Sequence, residues 1–295
     1  MISGLVSIAI PAYKRRWLKE AIESALSQDY DNIELIIVDD HSPQNLKEVV
    51  EPYLLDKRVS YFYNETNIGK ESVVNNWNRC LEYVRGEFFV LLCDDDVLMP
   101  DFVSTLLKLA VKYPQCNVFH GRRILYDEVT GEIIEEDPWL EYEDYGYISE
   151  AFHKHTITEF LYRTCVLKKE KFVVFPSGLF SDNATILKLA KNGGIASSCE
   201  VICQFRKSSE HISGSNQYAY EKAKAAILYS DWFQNNVNES YNNKQKRDRL
   251  DIWLQSFFRY ASLLEKIKIL FIVPFDVWSY KQKIYMFLSL FRVNK

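Results

Sequence analysis

Short, continuously apolar segments alternate with segments of helical periodicity along the N-terminal part of the chain. The apolar segments are rich in β-branched and aromatic side chains and occupy residues 5–13, 33–40, 58–64, 87–93 and 116–127. Helical spacing occurs at residues 15–28, 45–55, 70–85 and 100–112, with Pro100 expected in the first turn of the last helix. Strands that alternate with helices predict an α/β fold with a mainly parallel sheet covered on both faces.

Aspartates follow two of these strands. Asp39 and Asp40 end the segment "IELIIVDD", and Asp94, Asp95 and Asp96 end "EFFVLLCDDD". Ligands of parallel sheets bind beyond the carboxyl ends of the strands, and adjacent carboxylates repel each other unless cations or hydrogen-bond donors face them. A single such aspartate is more often a cap on the following helix. The group of five favours a site for Mg²⁺ or Mn²⁺ with substrate phosphates.

Composition excludes some classes of function. The 295 residues carry a net charge of −4, which argues against a nucleic-acid partner. Six cysteines without a paired framework favour a cytosolic compartment. The N-terminal segment does not have the pattern of a signal peptide, and no apolar run approaches the roughly 20 residues that span a bilayer.

Two long blocks carry a family resemblance. "VSIAIPAYKRRWLKEAIESALSQDYDNIELIIVDDHSPQN" and "NIGKESVVNNWNRCLEYVRGEFFVLLCDDDVLMPD" resemble, in order and spacing, the family 2 glycosyltransferases, which are inverting enzymes with the GT-A fold. The resemblance covers residues 5–215. It implies a GT-A catalytic domain at 1–215, with a Rossmann-like sheet flanked by helices. After about residue 215 the residue pattern becomes helical, which predicts a helical C-terminal extension at 216–295.

The resemblance also implies a nucleotide site. Its expected residues are Pro11, Ala12, Tyr13, Asp40, Asn67, Asp94 and Arg206. A carboxylate at the Asp40 position suits the ring N–H of uracil, so a UDP-sugar is the expected donor. The neighbouring Asp39 is expected to hold loops in place rather than to bind the base.

The expected metal ligands are Asp95, Asp96 and His211. Register with the following "MPD" puts the last motif aspartate on Asp95 and the first on Cys93, so a thiol stands where the family usually has a carboxylate. A second departure is Trp77, at a position where many members carry Arg. Trp77 is as well explained as a core aromatic on its helix.

The expected catalytic base is Asp182, in "GLFSDNATILKLAKNGG". An inverting transfer needs a carboxylate that takes the proton of the acceptor hydroxyl. The alternative interpretation of Asp182 is the N-cap of a helix at 183–192, which Gly193 and Gly194 would close. The implied function is sugar transfer from a nucleotide diphosphate to a glycan or lipid-linked acceptor, as in polysaccharide or O-antigen synthesis.

Two other classes compete with this function. A sugar-phosphate nucleotidyltransferase would carry a Gly-rich basic loop after the first strand, and "PAYKRR" has the charge without a glycine. A non-catalytic nucleotide-sugar-binding module would keep the fold and lack the base. Asp182 and metal dependence discriminate between these classes.

The C-terminal segment 265–295 combines aromatic side chains with six lysines and arginines. Such segments lie at membrane surfaces, which would suit a lipid-linked acceptor, but helices packed on the catalytic domain or on a second subunit explain the pattern equally well. His153, His155, Cys199 and Cys203 lack the spacing of a zinc site and are interpreted as structural.

Overall fold

The computed structural model describes residues 1–151, 153, 155–208, 218–237 and 243–290, so the expected ligand His211 lies outside the described residues. The strands in these ranges are β1 (Ile2–Ala12), β2 (Ile33–Asp39), β3 (Val59–Tyr63), β4 (Gly86–Leu91), β5 (Val97–Leu98), β6 (Val118–Asp127), β7 (Ile133–Glu135), β8 (Tyr142–Glu143), β9 (Phe160–Arg163) and β10 (Ile195–Lys207). The α-helices are α1 (Leu18–Leu26), α2 (Leu46–Val50), α3 (Val74–Tyr83), α4 (Phe102–Lys112), α5 (Tyr145–Ala151), α6 (Thr164–Glu170), α7 (Ser181–Ala190), α8 (Ala219–Asn236), α9 (Asn243–Tyr260), α10 (Leu263–Ile272) and α11 (Tyr280–Ser289).

The strands form one sheet with the order β3-β2-β1-β4-β9-β6-β10-β5. The first four strands are parallel, as predicted. Beyond them the sheet is mixed, because β9 pairs antiparallel with both β4 and β6. Ala12 at the end of β1 pairs with Asp39 on β2, and Ala9 pairs with Leu91 at the end of β4. The carboxyl ends of the three strands therefore share one edge, which is the edge that carries the aspartates.

The two faces of the sheet have separate cores. Ile8 and Ile10 of β1 pack on one face with α1 and α4, whereas Ala9 between them packs on the other face with α3, α6 and α7. This alternation follows from the two-residue period of a strand, and burial on both faces explains the continuous apolar runs in the sequence. Trp77 belongs to the second core and contacts Phe172 edge to face at 5.7 Å, so it is a core aromatic.

Helix α4 begins two residues later than expected. Asp101 precedes its first residue, Phe102, so the prediction that Pro100 lies in the first turn is wrong. The Pro100 carbonyl instead accepts a hydrogen bond of 2.8 Å from the backbone N–H of Asp29. Proline has no backbone N–H to donate, but its carbonyl is available and anchors the loop that follows α1.

The helical C-terminal extension packs against the rest of the protein through α8. One set of α8 residues, including Tyr229 and Phe233, joins the core beneath the sheet, and Ala223 and Ala226 face a third cluster built by α9, α10 and α11. Trp278 is fully buried in that cluster, and its indole N–H donates to Asp251 at 2.6 Å. No helix in the described ranges is both long enough and apolar enough to cross a membrane.

Candidate active site

The loop after β1 is held by a carboxylate from the next strand end. Asp94 Oδ2 accepts the backbone N–H groups of Tyr13 at 2.7 Å and Lys14 at 2.6 Å. Burial raises the pKa of the Asp94 carboxyl, and the Lys14 ammonium and these two N–H groups oppose the rise. The predicted nucleotide-binding residues Tyr13 and Asp94 are therefore in direct contact.

The ammonium of Lys14 lies among the acidic side chains. It contacts Asp95 Oδ2 and lies 3.4 Å from Asp94 Oδ1. Burial lowers the pKa of Lys14, but the two carboxylates raise it by more, so the amine stays protonated. A cation supplied by the chain itself therefore relieves the repulsion between these adjacent aspartates.

Asp96 is held by hydrogen bonds to both of its carboxylate oxygens. Its Oδ2 accepts the Thr158 hydroxyl at 2.6 Å, and its Oδ1 accepts the backbone N–H of Arg206 at 3.1 Å. Burial and the charge of Asp95 raise the pKa of Asp96 to about 7. The guanidinium of Arg206 binds the Asp95 carbonyl at 3.0 Å and Glu20 at 2.5 Å, so Arg206 helps to hold the turn between β4 and β5.

Three potential metal ligands converge in this turn. The Sγ of Cys93 and carboxylate oxygens of Asp95 and Asp96 lie within 4.8 Å of one another. Two hard oxygen ligands in a buried acidic turn fit Mg²⁺ or Mn²⁺. The thiol is a poorer ligand for such ions, because burial raises its pKa well above the ordinary value. The carboxylates of Asp95 and Asp96 are therefore the donors that fit a divalent cation, and Lys14 now pairs with Asp95.

The carboxylate of Asp40 is occupied largely by the protein. It accepts the backbone N–H groups of Ile68 at 2.9 Å and Gly69 at 2.8 Å, and the Asn64 amide at 2.9 Å. A side chain at Gly69 would put its Cβ 2.6 Å from Asp40 Oδ2, so this close approach requires glycine. Three accepted bonds leave about one lone pair of the carboxylate for a ligand. Asn67 directly precedes the turn that Asp40 holds.

The other residues at this end of β2 support the same loops. Asp39 accepts the Ser42 N–H at 2.8 Å and the Tyr61 hydroxyl at 2.6 Å, which is the structural role expected for it. The backbone N–H of Asp40 donates to the Ala12 carbonyl at 3.0 Å. Pro11 is paired in the same parallel ladder, one residue before Ala12. Pro11, Ala12 and Asp40 therefore lie at one place on the sheet edge.

Asp182 lies in the first turn of α7, and Phe180 is the N-cap, with φ of +65°. The alternative interpretation of Asp182 as the N-cap is therefore wrong. Its Oδ1 accepts the backbone N–H of Asn183 at 2.9 Å. Burial raises the pKa of the Asp182 carboxyl to about 6, which suits a general base near neutral pH. Gly193 and Gly194, both with positive φ, follow the end of α7 as expected.

A short segment, residues 155–159, connects Asp182 to the acidic turn. At one end, the His155 ring lies 3.9 Å from Asp182 and 3.0 Å from the Asn183 amide. At the other end, Thr158 donates to Asp96 and accepts the N–H of Cys93 at 3.3 Å. Residues 155–159 thus contact both the predicted base and one of the predicted metal ligands.

Sequence reasoning missed several residues of this site. Glu159 is fully buried and binds Arg123 and, at 3.0 Å, His120. It also forms a capping box with Thr156. The spacing in "TITE" is a readable sign of that box. The contacts of Lys14 and Thr158 depend on strands paired far apart in sequence and carry no such sign.

The family assignment agrees with this geometry. Residues 7–173 match the family model described as "Glycosyl transferase family 2", and the chain belongs to that family. The solved structures it resembles include Staphylococcus aureus TarS residues 1–349 in complex with UDP-GlcNAc, with a TM-score of 0.67 and 19% identity over 90% of this chain and 78% of that chain. The expected GT-A fold with a helical C-terminal region is confirmed.

Other similar proteins carry more specific names. A Campylobacter jejuni protein, "GalNAc(5)-diNAcBac-PP-undecaprenol beta-1,3-glucosyltransferase", is 26% identical over 94% of this chain and 89% of its own length. The glycosyltransferase GlyG of Streptococcus pneumoniae is 30% identical, and the match spans 44% of this chain and 42% of GlyG. The mannosyltransferase PcManGT of Pyrobaculum calidifontis, solved with GDP-Man and Mn²⁺, has a TM-score of 0.59 at 15% identity over 97% of this chain and 85% of that chain.

Proposed function

We propose that this protein is an inverting glycosyltransferase that moves a sugar from a UDP-sugar to a hydroxyl of a lipid-linked or polysaccharide acceptor. The observation that supports the proposal is that residues 155–159 contact both a buried acidic turn and a half-buried carboxylate of raised pKa. One end suits a diphosphate with a cation, and the other suits a general base.

The donor would lie on the edge that holds Asp40 and Asp94. Asp40 has a lone pair left for the ring N–H of uracil, and the loop at Tyr13 is pinned by Asp94 next to it. Arg206 would contribute indirectly, by fixing the turn between β4 and β5 that carries Asp94. The neighbour TarS was solved with UDP-GlcNAc, which supports a uridine donor without identifying the sugar.

Asp95 and Asp96 would hold Mg²⁺ or Mn²⁺, with His211 as a further proposed ligand. A bound divalent cation would neutralise the diphosphate as it leaves. Asp182 takes the proton of the acceptor hydroxyl while that oxygen bonds to the anomeric carbon. The bond from that carbon to the diphosphate breaks on the opposite face, so the configuration inverts. The diphosphate leaves with the electron pair of the broken bond.

A lipid-linked acceptor is supported by two observations. The Campylobacter relative is named for an undecaprenol-linked substrate and aligns with nearly the whole chain. In addition, the C-terminal helices expose large apolar side chains beside lysines: Phe271, Phe275, Tyr280, Tyr285 and Leu288. We infer peripheral contact with the cytoplasmic face of a membrane through residues 265–295, and the six free cysteines are consistent with that compartment.

A panel of nucleotide sugars tests the function. The protein is incubated with UDP-glucose, UDP-galactose, UDP-GlcNAc and UDP-GalNAc, with and without Mn²⁺, and UDP release is measured. Release from at least one sugar is expected, and Asp182→Asn should abolish most of it. Thermal shift with UDP, GDP and CDP should show stabilisation by UDP that depends on Mn²⁺. No release and no stabilisation would favour a binding module, and pyrophosphate release from UTP with a sugar 1-phosphate would favour a nucleotidyltransferase.

Vesicle binding tests the membrane contact separately. Co-sedimentation with phosphatidylglycerol vesicles is expected to exceed that with phosphatidylcholine vesicles, because lysines flank the exposed aromatic side chains. Replacing Phe271 and Phe275 by Asp should remove binding and leave UDP release unchanged. Light scattering in the absence of vesicles reports the competing outcome, a homodimer formed through the same face.

A further inference from the structure

His155 has a defined protonation state. Its side chain is only 5% exposed, and burial lowers its pKa to about 3, so the ring is neutral. A neutral imidazole has one N–H and one lone pair. The Asn183 side-chain nitrogen is a donor and lies 3.0 Å from His155 Nε2. Nε2 therefore accepts, and the ring proton is on Nδ1.

This Nδ1–H group has no partner of its own. His155 Nδ1 is buried without a hydrogen bond among the described residues, and it lies 3.9 Å from Asp182 Oδ2. That separation is longer than a hydrogen bond by about 1 Å, so a small shift would close it. A buried N–H group without an acceptor is costly, and the carboxylate is the acceptor at hand.

Residues 155–159 are held firmly next to this contact. Glu159 accepts the N–H and hydroxyl of Thr156, which is the next residue after His155. Thr158 is bonded to Asp96 in the acidic turn. The backbone that follows His155 is thus anchored to the acidic turn, where the diphosphate would bind.

We propose that His155 positions Asp182: its Nδ1–H donates to Asp182 Oδ2 and orients the carboxylate toward the acceptor hydroxyl. This inference rests on the proposed transferase function, and it replaces the structural role that the sequence suggested for His155. The remaining oxygen, Oδ1, is already fixed by the N–H of Asn183. His155 keeps its Nδ1 proton and takes up none in the reaction, since the lone pair of Nε2 already accepts the Asn183 amide.

The pH profile gives a readout that a purely structural role would not move. Asp182 must be ionised to act, so activity should fall as the pH drops through its pKa. A hydrogen bond to the charged form lowers that pKa, so loss of the His155 donor should move the acidic limb to higher pH. Glu159 and Arg123 act on both members of this pair, and Tyr162 interacts with Asp182. His120 and His153 act on His155, which stays neutral in this pH range.

The test compares His155→Phe, His155→Asn and the control His153→Phe. His155→Phe should lower kcat for UDP release about 10- to 100-fold with little change in KM. It should also shift the acidic limb of the pH profile to higher pH. Asn keeps a donor near the position of Nδ1 and should restore much of the loss. His153 pairs with Glu143 at 2.8 Å instead of Asp182, so its replacement should not move the acidic limb.

A double-mutant cycle separates positioning from packing. In an Asp182→Asn background, His155→Phe should have almost no further effect, because its partner is already lost. An undiminished effect in that background would overturn the proposal. Nitrogen-15 NMR of the histidines provides a test without turnover: His155 should be the Nδ1–H tautomer from about pH 5 to 8. An Nε2–H tautomer would overturn the inference even if UDP release proves the transferase, and absent UDP release would fail the proposed function alone.

Discussion

The two ends of the site differ in how completely their carboxylates are satisfied. At the proposed nucleotide end, Asp40 accepts three hydrogen bonds and Asp94 accepts two backbone N–H groups. At the other end, Asp182 accepts one N–H from its own helix, and two buried neighbours, His155 Nδ1 and the Tyr162 hydroxyl, have no partner among the described residues.

We infer that folding alone completes the proposed nucleotide end, whereas the proposed base end is completed when substrate binds. The hydrogen bonds of Asp40 and Asp94 fix loops, so they stabilise the folded chain before any ligand binds. Asp182, the proposed base, accepts fewer hydrogen bonds, and its partial burial raises its pKa into a range that suits a base. Substitutions at the two ends should therefore have different signatures, in stability at one and in turnover at the other.

The largest effect is expected for Asp182→Asn. Removal of the base should lower kcat for UDP release about 10²- to 10⁴-fold, since the amide cannot take the proton. Stabilisation by UDP should be unchanged, because within the described part of the chain Asp182 contacts Asn183 and His155 rather than the loops proposed to hold the nucleotide. Single-turnover kinetics with thermal shift measures both quantities. A variant that keeps a third or more of the wild-type rate would show that another group is the base.

Asp40→Ala should break the nucleotide end. Its loss leaves the N–H groups of Ile68 and Gly69 without their acceptor, at a cost of about 3 kcal/mol in unfolding free energy and with loss of UDP-dependent stabilisation. Urea unfolding and thermal shift measure the two effects.

Gly69→Ala is the matched variant for Asp40→Ala, because its Cβ would lie 2.6 Å from Oδ2 of the same carboxylate and displace it. It should reproduce the defect in UDP binding with Asp40 intact. Normal UDP binding in both variants would remove Asp40 from the nucleotide site.

The sequence predicted the parts of the molecule whose signals are local. Apolar runs predicted the parallel strands β1, β2 and β4. The aspartates that follow β2 and β4 lie at the same end of the sheet, because parallel strands align their carboxyl ends. The helix carrying Asp182 and its closing glycines were likewise readable.

The long-range pairings were not readable. Strand β9 is only four residues long, and nothing in "FLYR" indicates that it inserts antiparallel between β4 and β6. That insertion brings Thr158 to Asp96 and His155 to Asp182, so the connection between the two ends of the site was hidden with it. Lys14 was visible as a charge, but its partners follow a strand about 80 residues away.

Lys14→Met tests whether the Lys14 ammonium competes with a divalent cation at the acidic turn. The Lys14 ammonium now neutralises Asp94 and Asp95, so its removal should raise the affinity for Mn²⁺ about tenfold, as measured by electron paramagnetic resonance without nucleotide. The control is Arg15→Met, because Arg15 pairs instead with the exposed Glu48 at 3.0 Å and should leave Mn²⁺ binding unchanged. Weaker binding by Lys14→Met would mean that Lys14 organises the ligands instead of competing with the ion.

The smallest effect concerns the free energy of unfolding, which the ionised Asp182 side chain lowers. Its pKa is about 6 in the folded protein against an ordinary value of 3.8, so the folded state holds this proton more tightly than the unfolded chain. The ionised side chain therefore destabilises the fold above about pH 6, and the penalty fades as the pH falls toward 4. Asp182→Asn should raise stability near pH 8 by about 1–2 kcal/mol, or roughly 2–6 °C in Tm. Calorimetry across this range measures the gain, and a Tm below that of the wild type near pH 8 would show that the Asp182 carboxylate stabilises the fold as those of the nucleotide end do.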